Sequence, residues 1–334
     1  MDSRTNNGLN VGFAATRGYR VSIVIPTYNR AAMVREALKS LQMQTIQDFE
    51  IIVVDDCSED DTKSVIEEIA DSRLLYIRHD KNSGGASARN TGICAATGEF
   101  IAFLDSDDQW CPEKLEKQLQ VFSRDSGIGA VYAGFNAMNG DLLLWKSIPV
   151  HRGQLIDRLM AYNCIDTTSS IIVKKELLCE IEGFDESLPS CQDWDLYIRL
   201  AGRTRIDFVK EPLVLFQQHP GERITTNNSA VIRGHLLMYD KHKQLARERG
   251  KYVFGKFNLT VGKILLKNGM ISRDKKTVKL SREVLKEALV TGGYSPKHLL
   301  LYGSTFVHLA LLNMLYVFSK KRAKGMLQFF GSAS

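Results

Sequence analysis

The chain has 334 residues, 44% hydrophobic and 25% charged, with a formal net charge of +6. That length and balance suit a globular protein with one large domain and a smaller addition, and they exclude a disordered chain. The charge is uneven: Asp and Glu dominate between about 48 and 71, and Lys and Arg crowd the region after 233, which suggests an acidic cleft and a basic C-terminal part.

Residues 1–19 contain no long apolar run and are expected to form a flexible tail. Val21-Ser22-Ile23-Val24-Ile25 is a β-rich run ended by Pro26. Residues 30–43 carry Met33, Ala37, Leu38 and Leu41 at helical spacing. Phe49 to Val54 predicts a second strand, 60–70 a helix, Leu74 to Ile77 a third strand and 84–96 a helix. Phe100 to Leu104 predicts a fourth strand and 112–124 a helix. Strands alternating with helices at this spacing predict β-α-β units and a parallel sheet, covered by helices on both faces because the strands are apolar without alternation.

From about 128 the pattern becomes mixed. Strand-like pieces at 128–135, 141–147, 168–173, 205–209 and 212–217 are interleaved with short helices at 153–161, 175–181 and 193–202, and 230–290 reads as helical. The six cysteines form no C-x-x-C pair and no His lies at zinc-finger spacing, so reduced thiols and a cytoplasmic setting are expected.

Three polar clusters, Thr27–Asn29, Asp55–Ser58 and Asp105–Asp108, follow the C-terminal ends of strands, the edge where open α/β sheets bind ligands. The first strand leads into P-T-Y-N-R, without the glycines of a dinucleotide fingerprint, which argues against nicotinamide binding. F-L-D-S-D-D-Q-W (103–110) places three carboxylates in four residues. A D-x-D pair at a strand end can hold a hard divalent ion such as Mg²⁺ or Mn²⁺. The plain alternative is a solvated turn with a helix cap. Helix capping is likewise the plain role of Asp55, Asp56, Asp193 and Asp195, and a solvated helix face that of Arg89.

Four motifs occur in order: P-T-Y-N at 26–29, V-V-D-D-C-S-E-D-D-T at 53–62, N-S-G-G-A-S-A-R-N-T-G at 82–92 and G-E-F-I-A-F-L-D-S-D-D at 98–108. Together they resemble the family 2 glycosyltransferases, inverting nucleotide-sugar transferases of the GT-A fold, over about residues 20 to 222. The resemblance implies a GT-A type, Rossmann-like mixed α/β sheet flanked by helices over 20–228, then a helical basic C-terminal region over 229–334. It implies that Pro26, Thr27, Tyr28 and Asn29 line the nucleotide pocket. Asp56 is expected to accept from the base ring, which makes a UDP-sugar the default donor, with thymidine and guanosine diphosphates still open. Arg89 is expected beside the base or phosphates, Asp105 and Ser106 at the ribose or sugar, and Asp107 on the metal.

S-C-Q-D-W-D-L-Y-I-R-L-A (190–201) resembles the family's E-D-W-D-L stretch, which makes Asp193 the general base. Gln192 replaces the usual acidic neighbour. G-F-D-E-S-L (183–188) implies an acceptor-side loop. F-Q-Q-H-P-G-E-R (216–223) implies that His219 contacts the diphosphate or the metal. The Q-x-x-R-W signature of processive synthases is missing, which argues for addition of a single hexosyl or N-acetylhexosaminyl unit.

The expected acceptor is a saccharide, a lipid-linked saccharide or a protein-linked glycan in surface-polysaccharide assembly, with no nucleic-acid partner. The alternative is a non-catalytic nucleotide-sugar-binding scaffold of the same fold. A nucleotidyltransferase would need a Gly-rich basic loop where P-T-Y-N-R stands. Leu299 to Phe318 is the most apolar stretch, followed by Lys320, Lys321, Arg322 and Lys324. Gly303, Ser304, Thr305, His308 and Asn313 weaken it as a bilayer span. Residues 299–324 read instead as an interfacial element at the inner face of the cell membrane, the plain alternative being an ordinary helical core or a dimer contact.

Overall fold

The computed structural model describes residues 20–218, 227–292, 302, 303, 305 and 306. Its N-terminal half follows the expected alternation: β1 (Val21–Thr27), α1 (Ala31–Gln42), β2 (Phe49–Asp55), α2 (Thr62–Glu67), β3 (Leu74–Arg78), α3 (Gly85–Ala95), β4 (Phe100–Phe103), a short β5 (Gln109–Trp110) and α4 (Lys114–Arg124). Then come β6 (Ile128–Asn139), β7 (Leu142–Ser147), α5 (Ile156–Ala161), a 3-10 turn at Thr168–Ser170, β8 (Ile171–Lys174), α6 (Lys175–Glu180), α7 (Gln192–Ala201) and β9 (Arg205–Gln217). Three helices close the described chain: α8 (Asn228–Glu248), α9 (Lys251–Ile271) and α10 (Lys275–Gly292).

Among the described residues one sheet runs β3-β2-β1-β4-β8-β6-β9-β5, with β7 attached to β6. The expected parallel pairing holds for β3, β2, β1 and β4. Beyond β4 the sheet is mixed, as expected from about residue 128: β8 is antiparallel to both β4 and β6. β6 and β9 are again parallel, joined by a long connection that carries α5, α6 and α7. β6 and β7 are joined through Gly140-Asp141 as an antiparallel hairpin, with Gly140 at φ 58°.

The two strand pieces expected at 205–209 and 212–217 are one bent strand. β9 passes through Pro212, where its register against β6 shifts beside Gly134. Such an irregularity tolerates a residue without an N–H donor.

The chain leaves β1 for β2 and β3 on one side and returns to β4 on the other. The crevice opened by this reversal lies at the C-terminal ends of β1 and β4. Strand side chains then divide between two cores. Ile23, Ile25 and Ile51 pack with α1, α2 and α4, whereas Val24, Ile52 and Val54 pack with α3, α5 and α7. The second core continues into Met238 of α8 and Phe257, Val261 and Leu265 of α9. The helices after β9 therefore share apolar interior with the sheet.

Gly92 on α3 lies against β1. A Cβ there would sit 2.3 Å from Val24 Cγ1, closer than packed atoms allow. Gly92→Ala is expected to destabilise the fold by roughly 1–3 kcal/mol through overpacking, read as a lower denaturant midpoint. An unchanged midpoint would mean that Val24 yields without strain.

Candidate active site

The loops after β1 and β2 are built as one unit. The Asp56 N–H donates to the Thr27 carbonyl at 2.9 Å. Asn29, at φ 51°, donates its N–H to Ser58 Oγ at 2.9 Å, and its Oδ1 accepts from the Glu59 N–H at 2.7 Å. Asp55 is fully buried. It accepts from the Ser58 N–H at 2.8 Å and from the Tyr76 hydroxyl at 2.6 Å, so it fastens this loop. Pro26 is half-buried on β1, Tyr28 is 43% exposed at the crevice, and Thr27 is buried.

The buried Asp56 draws in the loop before α3. It accepts from the Ser83 N–H at 2.8 Å and the Gly84 N–H at 2.7 Å, and it meets His79 Nδ1 at 2.8 Å. A carboxylate offers about four lone-pair sites, so one is left for a ligand.

The three carboxylates after β4 have different fates. Asp105 pairs with Arg89 Nη2 at 2.5 Å and accepts from Thr168 Oγ1 at 3.0 Å. Asp107 pairs with Arg30 Nη1 at 3.0 Å. Ser106 is buried in the turn, which is closed by the Asp108 N–H donating to the Asp105 carbonyl. Asp108 is buried too, and burial, followed by the charges of Asp107 and Asp105, holds it well above the usual carboxylate range. It accepts from Ser169 Oγ at 2.6 Å and from the Gln217 N–H at 3.2 Å. Ser169 Oγ in turn accepts from the Asp105 N–H. Asp108 therefore holds the turn against the 3-10 segment and the end of β9. The repulsion among these adjacent carboxylates is part of what raises it.

Asp193 lies in the first turn of α7. Burial, ahead of the opposing pull of the Trp194 N–H and Arg89 and the repulsion of Asp105, pushes its carboxyl up to about 6. Asn163 Nδ2 donates to its Oδ2 at 3.0 Å. The Asn163 carboxamide is itself oriented by the N–H groups of Ile165 and Asp166. Arg89 feels both Asp105 and Asp193, so strand β4, helix α3 and helix α7 converge here. Asn90, one residue after Arg89, clamps the 183–188 loop through the Phe184 N–H and carbonyl.

Thr27 Oγ1, Arg89 Nε and the Tyr197 hydroxyl, all in this region, are buried without a hydrogen-bond partner. Such atoms are uncommon in native proteins and mark places where a ligand or water is wanted.

The structure therefore draws Asp105, Arg89 and Asp193 together. It ties Pro26, Thr27, Tyr28 and Asn29 to the Asp56 loop, and it sets Asp107 on Arg30. His219 lies outside the described residues. Among the described residues no group of three His, Cys, Asp or Glu side chains is arranged to hold a metal. The hard oxygens of Asp105 and Asp107 fit a divalent ion completed by substrate phosphate and water, rather than an all-protein cage.

Sequence reasoning missed Arg30, Asn163, Tyr197 and the buried pair Asp195–His242. Only Tyr197 left a signal, standing one helical turn beyond Asp193.

Residues 22–178 match the family model described as "Glycosyl transferase family 2". A glycosyltransferase of Haemophilus influenzae is 30% identical over 268 residues, 72% of this chain and 90% of the relative. The chain belongs to glycosyl transferase family 2.

This glycosyltransferase is also 36% identical, over 39% of its length and 51% of the relative's, to the Escherichia coli "UDP-Glc:alpha-D-GlcNAc-diphosphoundecaprenol beta-1,3-glucosyltransferase WfgD". Its fold matches that of S. aureus TarS 1-349, solved with UDP-GlcNAc (TM-score 0.64, 20% identity, 80% of this chain and 81% of that one). It also matches that of the Pyrobaculum calidifontis mannosyltransferase PcManGT, solved with GDP-Man and Mn²⁺ (TM-score 0.52, 21% identity, 90% and 87%). These matches establish the GT-A type architecture for the transferase.

Proposed function

We propose that this transferase moves one sugar from a nucleoside-diphosphate sugar, a UDP-sugar by default, to a hydroxyl of a saccharide acceptor in surface-glycan or glycolipid assembly, with inversion. The observation that carries the reading is the convergence of Asp105, Arg89 and Asp193. It brings a donor-side carboxylate and cation next to a carboxyl tuned toward neutral pH. The UDP-Glc named for the E. coli relative and the UDP-GlcNAc in the TarS complex support the default donor.

In this reading the base occupies the cleft between the 26–29 and 55–58 loops, and the free lone pair of Asp56 takes its ring N–H. Thr27 Oγ1 offers a buried polar atom to the nucleotide. Asp105 and Ser106 face the ribose or sugar, and the Arg89 guanidinium lies by the phosphates. Asp193 accepts the acceptor proton as that oxygen forms its bond to the anomeric carbon and the bond to the diphosphate breaks. Entry from the face opposite the leaving group inverts the centre in one displacement. A divalent ion, Mn²⁺ or Mg²⁺, held by Asp107 when bound, supplies charge to the leaving diphosphate. The contribution of His219 remains what the family resemblance implies.

The domain division, 20–228 as catalytic domain and 229–334 as basic helical region, belongs to the same proposal, as does a setting at the inner face of the membrane. Among the described residues no helix is long and apolar enough to cross a membrane. Apart from residues 302, 303, 305 and 306, the 299–324 segment lies outside them.

The test is calorimetric titration with uridine, thymidine and guanosine diphosphates, with and without Mn²⁺. Manganese-dependent binding of one nucleotide, weakened at least tenfold in Asp107→Ala, is expected. Folded protein that binds none of them would overturn the reading.

A further inference from the structure

The outer half of β6 and all of β7 form a ribbon that reaches past β8. β8 pairs with β6 at Ala130–Tyr132, and β7 pairs with it only from Phe135 to Asn139. On β7, Leu142, Leu143, Leu144 and Trp145 are 64, 50, 46 and 51% exposed. A strand with one buried face would hide alternate residues. Here both faces are open. Four consecutive exposed apolar residues on an unpaired edge invite aggregation unless something covers them.

The ribbon is packed at its base. Trp145 packs edge-on against Phe135 with ring centroids 4.9 Å apart. A Cβ on Gly134 would lie 2.2 Å from the Ser147 carbonyl oxygen, so the end of β7 is seated against the bend of β6. Lys146 on β7 and Arg152 further along the chain are exposed cations; Asp141 in the turn is the carboxylate within the ribbon, and Asp166 accepts from Ser147 Oγ at its base. An apolar edge with an indole and flanking cations matches an anionic lipid interface.

The ribbon also leads to the chemistry. Ser147–His151, its direct continuation, line a cavity of about 200 Å³ together with Tyr162, Asn163 and Asp166. Asn163 is the residue that donates to Asp193.

We propose that the β7 ribbon docks on an anionic lipid surface and sets this cavity over it, so that the sugar of a lipid-borne acceptor reaches Asp193. The docking stands on β7 alone, while the delivery to Asp193 rests on the catalytic reading above.

The protein carries its own reporter. Of its three tryptophans, Trp110 and Trp194 are buried, so a change in emission on docking reads Trp145. Full-length protein is mixed with vesicles of phosphatidylethanolamine and phosphatidylglycerol, with and without brominated acyl chains. The expected result is co-sedimentation, a blue shift and quenching by the brominated chains. The quenching should vanish in Trp145→Phe while that variant still sediments. Leu143→Ser combined with Leu144→Ser should weaken partitioning by roughly tenfold or more, from the apolar surface removed.

Three results would overturn the proposal: no sedimentation, sedimentation with unquenched tryptophan, or a blue shift that grows with protein concentration in the absence of vesicles, which would mark a second copy as the occupant. UDP binding measured on the same samples keeps the two questions apart. Its loss would count against the catalytic reading, not against docking.

Discussion

Asp193→Asn is expected to lower the rate of sugar transfer by about 10²- to 10⁴-fold while nucleotide binding stays within a factor of two or so, since proton removal is lost and the donor cleft is untouched. The wild-type pH profile carries a second signature. A carboxyl raised to about 6 is an active base only above that pH, so kcat/KM should climb through about pH 6 and level off. The limb should be absent from the residual activity of the variant. Stability should move the other way. A carboxyl whose folded pKa lies above its unfolded value loses stability as pH rises between the two. Removing its charge should leave the thermal midpoint at pH 7 unchanged or higher. A variant that unfolds, or one that keeps full transfer, would mean that Asp193 serves the fold and that the base is elsewhere.

Asp195, two residues on, is the largest expected stability effect. It is fully buried, and it accepts from Arg199 Nε at 2.8 Å, from His242 Nε2 at 2.7 Å and from Lys241 Nζ at 2.9 Å. Burial raises its carboxyl, but the His242 hydrogen bond and the charges of Arg199 and Lys241 outweigh that and hold it down to about 2. It joins α7, which carries the base, to α8. Asp195→Ala takes the buried carboxylate from Arg199 and His242, while Lys241 keeps Asp185 at 2.5 Å, and should cost about 3 kcal/mol, seen in denaturant unfolding at pH 7. The pH sign is that of a lowered carboxyl. The stabilisation is complete above the unfolded value of about 3.9 and is lost as pH falls through about 2. The difference between wild type and variant should therefore shrink in acid. A difference that stayed constant down to pH 2 would argue that lost packing, not lost charge, sets the effect.

These two aspartates show where a one-dimensional reading stops. Both belong to Q-D-W-D-L, both sit in the first turn of one helix, and capping suits either. Family resemblance separated Asp193 as the base, but its carboxyl is raised first by burial, with Arg89 of α3 pulling it down and Asp105 after β4 pushing it up. Asp195 gains Lys241 and His242 from a helix more than forty residues later, and only Arg199 from its own.

The D-S-D-D cluster behaves the same way. Its place after a strand is local and readable. That Asp108 alone is buried beside Ser169 and Gln217, while Asp105 and Asp107 keep cationic partners, follows only from packing. The apolar face of β7 was equally hidden, because L-L-L-W in a strand reads as core.

By itself, the sequence determined the alternating strands and helices of residues 21–124, the short β5 excepted, and the motif order that marks the family. Apolar periodicity and turn chemistry act over a few residues and need no distant partner. It also placed the polar clusters at strand ends. The tertiary structure decided the antiparallel turn of the sheet at β8, the unbroken β9, the partners each carboxylate finds and the exposure of β7. Each of these depends on burial and on partners far along the chain, and both exist only once the elements have packed.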